Sequence, residues 1–257
     1  MASVLLQRLN MDNSWFLELS GTRLLIDPWL EGEEVDYVRW LNVQWHRTEP
    51  IAYDLVPEFD LVLITQKYPD HYHEPTLLKL QPKVVCAPAS LGRRLSRLLP
   101  EATLYLFDKE ARHHQVGNLS LTHLPTRRRI DPIYDAYTLE SEGEVVMVAN
   151  HGMSLDADHQ SQLEGVGPCD VLMSPFNRYA LPALLGGIVA PGLEGLRALM
   201  DITQPRTVVQ THDEPKHGTG LVPMLAKVER FEPAMAESHP WLKPSFLHIS
   251  DYTPVSP

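Results

Sequence analysis

The densest run of chemically capable side chains is Thr65-Gln-Lys-Tyr-Pro-Asp70-His71-Tyr-His73-Glu-Pro, an acid and two imidazoles within four residues. It follows the apolar run Asp60-Leu-Val-Leu-Ile-Thr65 and precedes a helical pattern. That is the carboxyl end of a buried strand, where α/β folds place ligand-binding groups. Asp and His together suit a borderline divalent cation, zinc first and other first-row metals after it. The same residues also read as a polar loop in which Asp70 caps the following helix. Two further apolar runs end in similar chemistry, Val148-Ala-Asn150-His151-Gly152 and Gln210-Thr-His212-Asp213. Three strand exits from distant parts of the chain, each presenting His or Asp, form a convergent pattern that scattered histidines seldom produce.

Apolar periodicity identifies the elements that must carry these exits. Trp15-Phe-Leu-Glu-Leu19 and Arg23-Leu-Leu-Ile-Asp27 read as strands around Ser20-Gly21, a hairpin signal. The segment 29–57 has no sustained period and reads as a long excursion with one short helix, long enough to line a site. Strands over 60–65, 83–87 and 103–107 then alternate with helices over 74–80 and 90–99, as βαβ units do. The middle of the chain, through 117–124, 136–140 and 144–149, reads as an antiparallel meander. Alternation resumes with helices over 155–163, 193–200 and 220–229 and strands over 170–174, 206–211 and 245–249. The pattern predicts two sheets packed face to face with helices outside, in one domain over 1–257, since no linker or repeat divides it.

Composition narrows the function classes. The 257 residues are 44% hydrophobic, enough for a sizeable core. Lys plus Arg total 22 against 33 Asp plus Glu, a net charge of −11, which argues against nucleic acid and anionic lipid as partners. Cys86 and Cys169 are too few for a disulfide framework and sit in apolar runs, which fits a reducing compartment. No signal-peptide pattern and no run of 18 apolar residues appears, so the expectation is a soluble, cytoplasmic protein without membrane contact.

The remaining candidates have ordinary explanations. His113-His114 reads as an exposed turn and His123 as a partly buried structural histidine, while His46, His159, His239 and His248 receive no role. Thr126-Arg-Arg-Arg129 reads as a solvated loop, or as an anchor for an anionic substrate group. Asn177 and Arg178 follow a strand and are candidates for a pocket rim, with a turn as the equal alternative. Lys216 and His217 are candidates for the pocket mouth, with a solvated loop before a helix as the stronger reading, and the apolar stretch 180–190 reads as core, with a lid or an oligomer contact as the alternatives.

These motifs resemble the metallo-β-lactamase superfamily over most of the chain. Leu24-Leu-Ile-Asp27-Pro28 is similar to its N-terminal signature, the run to Thr65 leads into its first metal loop, and His151 and His212 fall near later ligands. A divergent branch with a Ser-Gln-Gly-Leu-x-Asp-His-x-His loop and a Pro-His-Gly exit is the nearer match. Against the main His-x-His-x-Asp-His motif, Gln66 and Tyr68 stand where the leading histidines belong, while Asp70 and His71 match the trailing pair. The family uses the leading pair for a first metal and Asp-His with the last histidine for a second, so the resemblance implies that one site is lost. The family's bridging aspartate is also missing, with Asn150 and His151 in its neighbourhood. The implied metal cluster is Asp70, His71, His151 and His212, with His73 as an alternate ligand or the partner of one.

The fold implied is the α/β, four-layer αββα sandwich. The function implied is a metal-dependent hydrolase of a small ester, lactone, amide or phosphoester, with one divalent metal, zinc ahead of manganese or iron. The resemblance also implies a catalytic role for Asp70, that of orienting the attacking water. Four protein ligands would instead close a tetrahedral zinc site and make it structural. The alternative is a pseudoenzyme that keeps the fold as a binding or scaffold protein. The partner expected is a small molecule, with the arginine run favouring an anionic one.

Overall fold

The computed structural model describes residues 4–125, 133–153 and 157–257. The chain opens with antiparallel strands β1 (Val4–Arg8), β2 (Trp15–Leu19) and β3 (Thr22–Ile26). Between β2 and β3, Ser20 at φ 48° and Gly21 at φ 82° form the left-handed pair that a tight hairpin needs. Two short strands follow, β4 (Glu33–Asp36) and β5 (Asn42–Trp45). Then β6 (Leu61–Leu63), α1 (Glu74–Leu80), β7 (Val84–Pro88), α2 (Gly92–Leu98) and β8 (Thr103–Phe107) alternate, their strands parallel. An antiparallel meander comes next: β9 (His113–Val116), β10 (Leu119–Leu124), β11 (Ala136–Ser141) and β12 (Glu144–Val148). The last third holds α3 (Ala157–Glu164), β13 (Val171–Pro175), β14 (Arg178–Ala180), β15 (Ile188–Pro191), α4 (Leu193–Thr203) and β16 (Thr207–Thr211). It ends with β17 (His217–Thr219), α5 (Leu221–Leu225), β18 (Lys227–Glu229) and β19 (Phe246–Leu247).

The strands form a six-stranded sheet, β1-β2-β3-β6-β7-β8, and a seven-stranded sheet, β19-β16-β13-β12-β11-β10-β9. Because side chains alternate along a strand, every second residue faces the other sheet. Leu17, Leu24, Ile26, Leu61 and Leu63 meet Leu121, Leu139, Val148, Met173 and Val209 in one buried cluster between the sheets. The intervening Phe16, Leu25 and Val62 pack outward with Leu77 of α1 and Leu95 of α2. Met147, Leu172 and Val208 pack outward from the second sheet with Leu163 of α3 and Leu196 and Leu199 of α4. The layers are therefore helix, sheet, sheet, helix, the expected αββα sandwich. Each fully buried Leu in these clusters contributes about 1.5–3 kcal/mol.

The sequence expectations fail where strands are short or their partners distant. Within 29–57 the excursion contains β4 and β5, which join β17 in a small sheet in the order β17-β5-β4. The helix expected over 220–229 is only α5, followed by β18, which pairs with β14. His113-His114 opens strand β9 and is not a turn. Part of 180–190 is exposed, with Leu184 at 99%. No described helix is long and apolar enough to cross a membrane.

Candidate metal centre

The site forms where β3, β6, β12 and β16 end. At the end of β3 the backbone of Asp27 is left-handed, at φ 46°, and its N–H donates to the Leu63 carbonyl at 2.9 Å. The carboxylate is fully buried and ringed by donors. Oδ1 accepts from the Thr65 N–H at 2.6 Å. Oδ2 accepts from Thr65 Oγ1 at 2.5 Å, Asn150 Nδ2 at 2.6 Å and His71 Nδ1 at 2.7 Å. Since a carboxylate only accepts, His71 carries a proton on Nδ1 and its Nε2 points the other way. This is how an acid at the back of an imidazole fixes a metal-ligating tautomer.

His71 Nε2 lies 3.1 Å from Nε2 of His151. Two lone pairs repel at that distance, so either a proton or a cation must sit between them. The His212 ring completes the group, with its centroid 5.1 Å from that of His71 and 4.7 Å from that of His151. One nitrogen from each of the three rings lies within 4.8 Å of the others. His212 reaches this place through a left-handed backbone at φ 52°, uncommon for a non-glycine residue. Its N–H donates to the Asp12 carbonyl at 2.9 Å and its own carbonyl accepts from Asn177 Nδ2 at 3.1 Å. Both of its ring nitrogens are buried without a hydrogen-bond partner.

Asp70 approaches from the cleft side, with Oδ2 3.7 Å from His71 Nε2 and 3.8 Å from His212 Nε2. Asn13 Nδ2 fixes this loop by donating to the Asp70 carbonyl at 2.8 Å. Lys216 Nζ lies 2.9 Å from Asp12 Oδ2 and 3.6 Å from Asp70 Oδ2. These charges set the protonation of the site. Burial works against ionised Asp70, but His71, Lys216 and His212 outweigh it and hold the carboxyl well below its usual range. Burial also works against a charged Lys216, yet Asp12 and Asp70 keep the ammonium well above its ordinary value. Burial, then the charges of His212 and His71, push His151 well down, so its imidazole is neutral.

The donor set passes the test for a divalent cation. Three imidazoles and a carboxylate converge, one ring is oriented from behind by an acid, and another has two buried nitrogens with nothing to bond. Asp70, His151 and His212 line a cleft of about 590 Å³, with His71 buried behind them, and its other walls include Glu34, Asn177, Tyr179, Val189, Val222 and Val228.

Of the residues singled out in the sequence, Asp70, His71, His151 and His212 come together. His73 stands apart as the N-cap of α1, where its Nδ1 accepts from the Thr76 N–H at 3.4 Å. Burial pushes it down to about 4. Gln66 is buried with Nε2 donating to the Ile133 carbonyl at 2.6 Å, and Tyr68 lines the cleft. His123 is structural as expected, its Nε2 2.9 Å from Asp135 Oδ2 and its ring stacked on Tyr137. The run Thr126-Arg-Arg-Arg129 lies outside the described residues. His46, given no role, contacts Glu214 Oε2 at 3.4 Å and Trp29 O at 3.2 Å. Lys216 is not solvated, because its side chain is 14% exposed between two carboxylates. Sequence reasoning gave no role to Asp27 or Asp12 and left Asn150 unplaced. Asp27 ends an apolar strand run, the same signal that marked His151 and His212.

A search of solved structures returns relatives over nearly the whole chain. An isothiocyanate hydrolase from Delia radicum gut bacteria is 16% identical, with 98% of each chain covered and a TM-score of 0.69. Igni18, a metallo hydrolase from the archaeon Ignicoccus hospitalis, is 15% identical, with 98% of this chain and 97% of that one covered and a TM-score of 0.67. CmlA, a diiron β-hydroxylase from Streptomyces venezuelae, is 18% identical, covering 95% of this chain and 50% of its own, with a TM-score of 0.65. At these identities the likeness establishes the fold. No curated protein matches by sequence. The family model described as the β-lactamase superfamily domain matches residues 10–212, most of the chain. With that match and the αββα sandwich behind its strand-exit histidines, the chain belongs to the metallo-β-lactamase superfamily.

Proposed function

We propose that the protein is a metal-dependent hydrolase with a mononuclear centre, His71, His151 and His212 holding the ion and Asp70 facing it from the cleft. The observation that carries this reading is the group of three imidazoles whose His212 has both ring nitrogens buried and unbonded. Zinc suits three imidazoles best, with manganese and iron as the other candidates. A divalent ion there supplies Lewis acidity, lowering the pKa of water and polarising a carbonyl or phosphoryl oxygen. Asp70 then has two tasks. It adds a carboxylate to the ion's surroundings, and it accepts a hydrogen bond from the attacking water, orienting it toward the substrate.

The substrate is a small ester, lactone, amide or phosphoester. Apolar walls at Val189, Val222 and Val228 support a substrate with a hydrocarbon part beside its reacting group. Because one structural relative is an isothiocyanate hydrolase, isothiocyanates join the compounds worth testing.

Metal analysis of untagged protein, followed by assays on a panel of esters, lactones, amides, phosphodiesters and isothiocyanates, tests the proposal. It predicts near one equivalent of metal, loss of turnover on chelation and recovery on adding zinc. His212→Ala should lower metal affinity by more than about 100-fold, beyond the effect of losing a residue that only orients a ligand. A wild-type protein that stays metal-free after reconstitution would contradict the reading. Bound metal with no turnover anywhere in the panel would favour a pseudoenzyme.

A further inference from the structure

A second set of converging ligand atoms lies beside the three-histidine group, on Asp12, Asp70 and His212, all within 4.8 Å of one another. The two sets share His212. Two carboxylates and an imidazole also suit a divalent cation. Here they already face a positive charge, because the Lys216 ammonium is 2.9 Å from Asp12 Oδ2 and 3.6 Å from Asp70 Oδ2. Asp12 is almost fully buried, and Lys216 is the charge that balances it. The ammonium is also enclosed by the ring of Trp29, whose centroid is 5.4 Å away. The backbone holds it in place, since Lys216 N–H donates to the Glu214 carbonyl at 3.0 Å and the next residue begins β17.

We propose that the Lys216 ammonium is a built-in cation that fills the Asp12–Asp70–His212 position and limits the centre to one divalent ion. The inference rests on the metal reading above and deepens it. A second ion could enter only by displacing Lys216 from both carboxylates, and like charges at such short range in a buried site repel strongly. Lys216→Met keeps the aliphatic stem and removes the charge. Asp12 then loses the cation in contact with it and Asp70 loses one of the positive charges around it, and a second divalent ion restores the balance.

The experiment strips the protein with chelator, dialyses it against zinc or manganese and counts bound ions by elemental analysis, with circular dichroism to verify folding. Wild type and Lys216→Arg should bind one equivalent, and Lys216→Met should bind two. In the manganese-loaded Lys216→Met protein, electron paramagnetic resonance should show an exchange-coupled pair that wild type lacks. Adding Asp12→Asn to Lys216→Met should return the count to one. If the methionine variant does not fold, Lys216→Gln, which leaves Asp12 a hydrogen-bond donor, should also gain an ion. One equivalent in wild type and still one in a folded Lys216→Met or Lys216→Gln overturns this inference alone. Two equivalents in wild type overturn it as well, and none in wild type overturns the metal reading with it.

Discussion

The two sides of the strand-exit face carry similar polar side chains and use them differently. On one side, His71 and His151 oppose their Nε2 atoms at 3.1 Å and His212 leaves both ring nitrogens unbonded. On the other, Gln66 donates to the Ile133 carbonyl at 2.6 Å and His123 pairs with Asp135 at 2.9 Å. Gln66 Oε1 and His123 Nδ1 still lack partners, but among the described residues neither joins a group of three candidate ligands. Buried polar atoms need partners, and protein atoms supply them on the second side only in part. On the first side the fold holds imidazoles together in a way that only a proton or an ion between them can satisfy. A buried histidine is thus informative through what its nitrogens face, more than through its burial.

The largest effect that would break this contrast comes from Asp27. Asp27→Asn leaves one accepting oxygen, uncharged, where His71 Nδ1, Thr65 and Asn150 all donate, so the imidazole loses its anionic acceptor. Metal affinity, measured by competition with a chelating dye, should fall about 10–100-fold. Unchanged affinity would mean that Asp27 is not what orients the ring. On the other side, His123→Ala should cost about 1–3 kcal/mol in urea denaturation by removing a buried hydrogen bond to Asp135, while metal content stays the same. Loss of metal in that variant would erase the distinction between the two sides.

The smallest effect concerns Glu34 of β4, a buried carboxyl in the cleft wall. Burial first, and then the charge of Asp70, push it up to about 8 from an ordinary 4.5. Between about 4.5 and 8 the folded chain keeps a proton that the unfolded chain has released, so this group makes stability fall as pH rises through that window. Glu34→Gln should flatten the decline in chelator-treated protein, raising Tm at pH 8 relative to wild type by on the order of a few degrees. A decline equally steep in the variant would assign it to another group.

Much of this arrangement was legible in the sequence because it rests on local signals. The runs ending at Asp27, Thr65 and Thr211 and the Ser20-Gly21 turn all appear as strands and hairpin where apolar alternation put them. Asp70, His71, His151 and His212 were recognisable because each follows an apolar strand run. What escaped depends on distance along the chain. β5 pairs with β17, far away in sequence, and no local period marks a four-residue strand. Lys216 looked like a loop residue because the carboxylates that bury it, Asp12 and Asp70, come from other segments. His73 looked like a ligand because of its neighbours, but the first turn of α1 claims its Nδ1. The direction of His151 and the left-handed backbone of His212 are likewise set by packing that no short motif encodes.

The most direct test of the three-histidine centre is anomalous diffraction from zinc-soaked crystals, recorded above and below the zinc absorption edge. Such a centre predicts one peak about 2.0–2.1 Å from Nε2 of His71, Nε2 of His151 and a ring nitrogen of His212. A peak beside Gln66 and His123, or none at the three histidines, would contradict it.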